Sequence, residues 1–256
     1  MGSALTLGAI KKGVFESHQV LAYDPVPETI AALGDGISAA GSLEEAIQGS
    51  NILLLCVKPY QVSEILAKIP KLVESPEKLL VISIAAGVKI ETMERSCNHE
   101  ARIVRTMPNT PSLVGEGAAA FTLGKNATGA DANFTAKLLG SIGIVYEVKE
   151  SLLDTVTGLS GSGPAYVYTF IEALADGALL EGLPRDQALA LATQTVLGAA
   201  RMVANSGEHP SVLRDRVTSP GGTTIAGLAA LEEGAFRSSA INAVKAATEK
   251  ARDLGR

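Results

Sequence analysis

The sequence has little of what several classes of protein require. It contains two cysteines, Cys56 and Cys97, in 256 residues, which is too few for a disulfide framework. The three histidines stand far apart, without clustered Cys, Asp or Glu, so we expect no metal site. No run reaches the ~18 apolar residues of a membrane-spanning helix. No basic region precedes the first apolar stretch, as it would in a secretory signal. We therefore expect a protein of the reducing cytoplasm.

The charge balance excludes another group of functions. The chain carries 22 basic and 27 acidic residues, a net charge of −5. There is no basic excess to neutralise a phosphate backbone, so we expect neither nucleic acid nor a membrane as a partner. A mean hydropathy of +0.24 argues against a disordered chain, because apolar burial can offset the entropy cost of folding.

Residues 1 to 150 alternate between strand-like and helical patterns. Continuous apolar runs separated by amphipathic stretches are typical of a parallel sheet with helices on both faces. The predicted strands are 19–23, 51–57, 79–84, 101–106, 117–123 and 143–148. Helical patterns include 3–12, 27–33, 42–48 and 62–69. Ser42 followed by Glu45 is a capping-box signature for the third of these. We predict a doubly wound α/β domain over residues 1–150.

Residues 151–256 form a second predicted domain, which is all-helical. Its helical patterns, rich in Ala and Leu, cover 163–182, 184–206, 208–217 and 223–254. The stretch from Ala165 to Leu180 is apolar nearly all round, so we expect it to be buried between subunits. Glu172 and Asp176 lie one turn apart in it. They are either paired carboxylates for acid–base chemistry or, as we prefer, polar residues at the ends of an otherwise buried helix.

The start of the chain carries a partial dinucleotide-binding pattern. Such a domain opens with a strand, Gly-x-Gly-x-x-Gly and a helix. Here Gly2 corresponds to the last glycine and leads directly into a helix, although a small residue at a helix start is an equally simple reading. Asp24 follows a strand about 20 residues later, where a carboxylate would hold an adenosine ribose hydroxyl. Asp24 also suits an N-cap ahead of Pro25.

Three later strands end in segments that are candidates for ligand binding. Ligands of open α/β sheets bind beyond the carboxyl ends of the strands. Lys58, in Cys56-Val57-Lys58-Pro59, offers a cation there, or is a solvated lysine in a turn. Residues 83–87 have small side chains that would admit a flat ring, or simply form a tight turn. Residues 105–111 contain two prolines and Asn109, which indicates a stiff loop at a site.

Two glycine-proline elements precede helices in the second half. The segment Leu159 to Tyr166 includes Gly163-Pro164, which suits a flexible turn and the first turn of a helix. The segment Thr218 to Ile225 has two glycines and several hydroxyl residues at a helix start. Exposed N–H groups and the helix dipole favour an anion such as a carboxylate at that position.

Four of these segments together resemble the pyrroline-5-carboxylate reductase family. They occur in order and at the family's spacing: Val57 to Pro59, Met107 to Pro111, Leu159 to Tyr166, and Ser219 to Thr224. The resemblance covers essentially the whole chain. It implies a Rossmann domain and a helical dimerisation domain, assembled as a ring of dimers, often a decamer. It also implies reduction of a cyclic imine to L-proline by NADP(H) or NAD(H).

The resemblance also implies roles for particular residues. The cofactor would contact Gly2, Asp24, Cys56, Val57, Lys58, Pro59, Ala85, Ala86, Met107, Pro108 and Asn109. The substrate would contact Ser219, Gly221, Gly222, Thr223 and Thr224, in a cradle that comes from a partner subunit in the family, and also Glu150. Thr224 would donate a hydrogen bond to the ring nitrogen or hold the water that supplies its proton. No histidine is placed as an obvious general acid.

The sequence departs from the family in two places. The first strand and the first two glycines of the phosphate loop are absent from this chain, so we expect it to be less stable and to bind cofactor more weakly than an extended chain. Asp24 stands where some members have Ser, Thr or Arg for the 2′-phosphate, which leaves the choice between NAD and NADP open.

Two alternative functions remain at this point. A β-hydroxyacid dehydrogenase would need Lys and Asn on the helix at 163–182, which has neither. The other alternative is a non-catalytic nucleotide-sensing or scaffold oligomer, and a full-length protein that binds no NADPH would support the scaffold.

Overall fold

The computed structural model describes residues 1–255 and divides into two compact units. One unit contains Met1–Ser162 and the chain from Lys245 onward, and the other is Gly163–Val244. The division therefore falls later than the boundary at residue 150 placed by the sequence patterns. The reason is that the helix after residue 150 carries carboxylates that bind a strand of the first unit, as described below.

The first unit contains seven strands in two sheets. They are β1 (Leu21–Ala22), β2 (Ser38–Ala39), β3 (Ile52–Leu55), β4 (Leu80–Ser83), β5 (Arg102–Met107), β6 (Gly117–Leu123) and β7 (Gly143–Glu147). β1 and β2 pair in parallel as a separate two-stranded sheet. The other five pair in sequence order, β3-β4-β5-β6-β7.

The five-stranded sheet is mostly parallel, and the expectation of a wholly parallel sheet was wrong at one pair. β6 runs antiparallel to β5, with Thr106 opposite Phe121. The connection between them holds only a short 3₁₀ turn, Thr110–Val114. A parallel neighbour needs a crossover of about a dozen residues or more, usually helical, so this short connection favours the antiparallel pairing.

Helices cover both faces of the sheet. Those of the first unit are α1 (Gly2–Lys11), α2 (Pro27–Ala31), α3 (Leu43–Gln48), α4 (Pro59–Leu66), α5 (Ile69–Leu72), α6 (Ile90–Ser96), α7 (Gly129–Gly140) and α8 (Glu150–Val156). Neighbouring strand residues separate into two cores. Val81 and Ile103 pack with residues of α4 and α6, whereas Ile82 and Val104 pack with residues of α1 and α7. This alternation is what a sheet buried on both faces requires.

Several local predictions differ from the structure in detail. The strand predicted at 19–23 has only two paired residues, and β2 was not predicted, since Ser38–Ala39 has no apolar run. The helix predicted at 62–69 is two helices, α4 and α5. α3 was predicted correctly: Ser42 Oγ accepts from Glu45 N–H at 3.1 Å. The Glu45 carboxylate, however, accepts from Gly41 N–H rather than completing the box at Ser42.

The second unit is helical, as predicted. Its helices are α9 (Gly163–Leu180), α10 (Arg185–Ser206), α11 (Pro210–Arg216), α12 (Thr223–Glu233) and the first part of α13 (Phe236–Leu254). The single helix predicted at 223–254 is broken at Gly234–Ala235, where Ala235 takes a positive φ of 53°. Within residues 1–255, no helix is both long and apolar enough to cross a membrane.

The apolar helix α9 is not covered within this unit. Among its described residues only Ala175 is buried, and Tyr168 is 61% exposed. Glu172 and Asp176 are exposed as well, and Asp176 forms an ion pair with Arg185. The burial expected from the sequence is therefore not found within the described residues of this chain.

Candidate functional site

A cavity of about 700 Å³ lies at the carboxyl ends of β1 and β2. It is lined by residues 23–25, 27, 30, 31, 34, 35, 37 and 39–41, so both Asp24 and Asp35 reach it. Asp24 is half-buried, and its Oδ1 accepts from Val26 N–H at 2.9 Å. This bond fixes the carboxylate in an Asx turn at the end of the strand. Asp24 is not the N-cap of α2, because Val26 occupies that position and the helix has no side-chain cap. A strand-end carboxylate in a cavity of this size suits the ribose of an adenosine.

Gly2 and Cys56 approach each other at the end of β3. A Cβ on Gly2 would lie 3.1 Å from Cys56 Cβ and 3.2 Å from its Sγ, so a larger residue would push the first turn of α1 away from the strand. Cys56 retains exposed surface, yet desolvation of the thiol raises its pKa to about 12. The Cys56 thiol is therefore protonated at neutral pH and a poor nucleophile.

Lys58 and Pro59 mark the start of α4. Pro59 occupies the first helical position, where its missing N–H costs nothing. The Lys58 N–H donates to Gln61 Oε1 at 3.2 Å, and both Lys58 and Pro59 are exposed. Val57 is half-buried and packs against the core. The end of β3 thus presents a cation on a fixed backbone.

The ends of β4 and β5 are joined through Ser83. Its Oγ accepts from Ala85 N–H at 3.3 Å, and its carbonyl accepts from the Thr106 hydroxyl at 3.0 Å. Ala85 is buried, whereas Ala86 is exposed. Of this predicted pair, only Ala86 has exposed surface, because Ala85 packs in the core.

Asn109 braces the loop after β5. Its Nδ2 donates to Ser160 O at 3.0 Å, and its Oδ1 accepts from Ala118 N–H at 2.9 Å. Asn109 and Pro108 are buried. The amide side chain that the sequence suggested for a carboxamide ligand is therefore engaged within the protein and holds the loop in place.

Met107 and Gly161 meet beside that loop. Residues Thr157–Gly161 form a π-helical turn that continues from α8, not the flexible turn predicted for this segment. A Cβ on Gly161 would lie 2.6 Å from Met107 Cε, so the glycine leaves room for the methionine side chain. π-helical turns of this kind are frequent at functional sites.

Glu150 belongs to an ion-pair network on α8. Its Oε1 lies 3.1 Å from Arg105 Nη1 and accepts from Ile90 N–H at 2.7 Å. Arg105 Nη2 lies 3.1 Å from Asp154 Oδ1. Sequence reasoning missed Arg105 and Asp154. An arginine inside an otherwise apolar strand was the available signal, because such a cation requires a partner once it is buried.

The Ser219 to Thr224 segment opens α12 in the second unit. Gly221 has φ of +68°, a conformation that favours glycine. Gly222 is the N-cap of the helix, and a Cβ on it would lie 2.3 Å from Ser219 Oγ. Ser219 and Thr223 are exposed and Thr224 is half-buried. The segment therefore places hydroxyl groups beside the start of a helix, and its role as an anion site stays a prediction.

The predicted residues fall into two sets. The cofactor set lies in the first unit, together with Glu150, and the Ser219 to Thr224 set lies in the second. Among residues 1–255, no group of three or more His, Cys, Asp or Glu residues is arranged to hold a metal ion.

A sheet with helices on both faces and a strand-end carboxylate in a cavity define a dinucleotide-binding oxidoreductase domain. The family described as NADP oxidoreductase, coenzyme F420-dependent, matches residues 1–87, and the pyrroline-5-carboxylate reductase dimerisation family matches residues 150–254. The chain is 46% identical to the pyrroline-5-carboxylate reductase of Pisum sativum over 99% of this chain and 92% of that protein. It belongs to the pyrroline-5-carboxylate reductase family.

Solved structures agree with this assignment. The pyrroline-5-carboxylate reductase of Coxiella burnetii superposes with a TM-score of 0.93 at 31% identity, over 100% of this chain and 95% of that one. The Plasmodium falciparum pyrroline carboxylate reductase, solved with NADP bound, gives 0.88 at 36% identity over the same shares. The fold class predicted from the sequence, a Rossmann-type domain followed by a helical domain, is confirmed.

Proposed function

We propose that this protein reduces 1-pyrroline-5-carboxylate to L-proline, the last step of proline biosynthesis. The observation that carries the proposal is the full-length match to reductases of this name, 46% identical over 99% of the chain. The reaction joins the imine, a hydride and one proton, and yields the secondary amine of proline. A nicotinamide cofactor supplies the hydride when bound.

The first unit fits such a cofactor. The cavity beside Asp24 has room for an adenosine, and the exposed Cys56, Lys58 and Ala86 lie at or just beyond the ends of neighbouring strands. Open α/β sheets bind nucleotides at this edge. We assign Gly2, Asp24, Cys56, Val57, Lys58, Pro59, Ala86 and Met107 to the cofactor surface, with Ala85, Pro108 and Asn109 supporting it from beneath.

The second unit fits the other reactant, a small anion. The N–H groups at the start of α12 and the hydroxyls of Ser219 and Thr223 would bind the substrate carboxylate. The Thr224 hydroxyl would donate a hydrogen bond to the nitrogen of the neutral imine, or hold the water that supplies its proton. A protonated imine is already electrophilic, so orientation of the ring supplies most of the remaining catalysis.

In this proposal, Glu150 positions Arg105 and the start of α6 and does not contact the substrate. Its Oε1 is engaged by Arg105 and by the Ile90 N–H. The pair holds α8 against β5, next to the loop of Asn109. This assignment replaces the direct substrate contact suggested by the resemblance.

The protein would work as a homo-oligomer in the cytoplasm. The exposed apolar residues of α9, such as Tyr168 at 61% and Leu180 at 86%, need a cover, and the family that matches residues 150–254 is named for dimerisation. A homodimer through the second unit is the simplest cover, and a ring of dimers such as a decamer builds on it. Light scattering of the purified protein would give the assembly directly.

A steady-state assay tests the proposed reaction. The purified protein should oxidise NADPH or NADH only when 1-pyrroline-5-carboxylate is added, and L-proline should accumulate in equal amount. Cofactor binding without imine-dependent oxidation would reject the proposal and favour a nucleotide-sensing role.

A further inference from the structure

The cavity beside Asp24 is surrounded by negative charge. Asp24 and Asp35 both line it, and its other lining residues are apolar, glycine, proline or tyrosine. No lysine, arginine or histidine lines it among the described residues. A ligand in this cavity therefore meets two carboxylates and no cation.

The sequence around the cavity explains this charge. Residues 13–57 contain no lysine or arginine, but they contain six carboxylates: Glu16, Asp24, Glu28, Asp35, Glu44 and Glu45. The one histidine in this range, His18, lies 3.2 Å from Glu16. The segment that folds into β1, α2, β2 and α3 thus has no guanidinium or ammonium to offer a phosphate.

The lysines that flank this segment in the sequence do not line the cavity. Lys11 and Lys12 precede the segment, and Lys58 and Lys68 follow it. Lys68 forms an ion pair with Glu44, Nζ to Oε1 at 2.7 Å. A phosphate in the cavity therefore finds no ammonium group among the residues that line it.

The Asp24 carboxylate is also fixed in place. Oδ1 accepts from Val26 N–H at 2.9 Å, so the group is held at the end of β1 by a local turn. A carboxylate at this position can accept hydrogen bonds from both hydroxyls of an adenosine ribose. The same carboxylate repels a 2′-phosphate, which adds close to two negative charges at neutral pH.

We infer that this cavity selects NAD(H) over NADP(H), with Asp24 as the residue that sets the preference. The inference rests on the proposed cofactor site and concerns only its adenosine end. The protein would still bind NADP(H), but more weakly.

The test uses nucleotides that lack nicotinamide, so that it does not depend on the reaction. Isothermal titration of the full chain with 5′-AMP and with 2′,5′-ADP, which differ only in the 2′-phosphate, should give a dissociation constant about 10- to 100-fold lower for 5′-AMP. Raising the salt concentration should narrow the ratio, because charge repulsion is screened. NADH and NADPH, titrated by their fluorescence, should show the same order.

Two variants locate the effect. Asp24→Asn keeps an oxygen for the Val26 N–H but removes the charge, so the preference should fall to within about threefold. Glu28→Gln removes a charge from a residue that does not line the cavity and should leave the preference unchanged. Thermal melting would confirm that both variants are folded.

Two results would overturn the inference. One is tighter or equal binding of 2′,5′-ADP by the unmodified protein, and the other is binding of neither nucleotide. Failure of imine reduction with the 5′-AMP preference intact would reject the proposed function alone.

Discussion

Arg105 and Glu150 form an ion pair that joins β5 to α8, with Nη1 and Oε1 3.1 Å apart. The Arg105 side chain is only 5% exposed, so its charge depends on Glu150 and on Asp154 for compensation. The same Glu150 oxygen accepts from the N–H of Ile90 at the start of α6. One pair of residues thus links a central strand to two helices beside the proposed site.

Removing this arginine should destabilise the first unit. Arg105→Ala leaves two carboxylates without their cation, and we expect the free energy of unfolding to fall by about 2–3 kcal/mol. Arg95→Ala is the matched control, because the Arg95–Glu91 pair is exposed. That variant should lose about 0.5 kcal/mol or less in the same urea titration. If the free energy of unfolding of Arg105→Ala falls by no more than that of the control, about 0.5 kcal/mol, the Arg105 network adds no stability.

The two hydrogen bonds of the Asn109 side chain lead to a second prediction about stability. Asn109→Asp keeps an acceptor for the Ala118 N–H but turns the donor to Ser160 O into a carboxylate oxygen facing a carbonyl. We expect a loss of about 1–3 kcal/mol by urea denaturation. In Asn126→Asp, the exposed Asn126 loses a similar bond to His99 O. This control should change stability by less than about 0.5 kcal/mol. If Asn109→Asp is as stable as its control, the amide does not brace the loop.

The proposed role of Thr224 predicts a specific kinetic change. Thr224→Ala should lower kcat by about 10- to 100-fold, because the lost donor acts on the reacting ring more than on binding. The dissociation constant of NADH should stay within about twofold. Thr224→Ser keeps the hydroxyl and should recover most of the rate. An alanine variant with normal kcat would exclude the role.

The thiol of Cys56 gives a prediction about pH. Desolvation raises its pKa to about 12 from the ordinary value of 9.0. Thiolate is the reactive form, so alkylation by iodoacetamide should rise about tenfold per pH unit from pH 8 to 10. A thiol of ordinary pKa would level off above pH 9. A Cys97→Ala variant leaves Cys56 as the single thiol for this measurement.

Cofactor should protect the same thiol. Because we assign Cys56 to the cofactor surface, saturating NADH should slow its alkylation at every pH. A rate that levels off near pH 9 would contradict the raised pKa, and a rate that NADH leaves unchanged would contradict the placement of Cys56.

Much of this molecule could be predicted from its sequence, and the failures have physical causes. The apolar runs at β4 to β6 were predicted because a strand buried on both faces needs apolar residues throughout. β3 and β7 were also predicted from apolar runs, although part of each strand is exposed. β2 was missed because Ser38–Ala39 is short and carries no such run. The direction of β6 was not predicted, although the predicted strands 101–106 and 117–123 leave only ten residues between them, which is short for a helical crossover.

The candidate site also contains residues that could be predicted from the sequence and residues that could not. Asp24 and the Ser219 to Thr224 segment could be located by their position at a strand end and a helix start. The internal bonds of Asn109 and Glu150 could not, because their partners Ser160 and Arg105 lie 51 and 45 residues away in the sequence. Such partners become apparent only when the fold brings the segments together.

The most direct test of the account follows the hydride itself. The protein would be incubated with 1-pyrroline-5-carboxylate and NADH that carries deuterium on the transferable face of C4, and the product analysed by mass spectrometry and NMR. We predict L-proline with one deuterium, located at C5. Proline without deuterium, or no proline at all despite bound cofactor, would contradict the account.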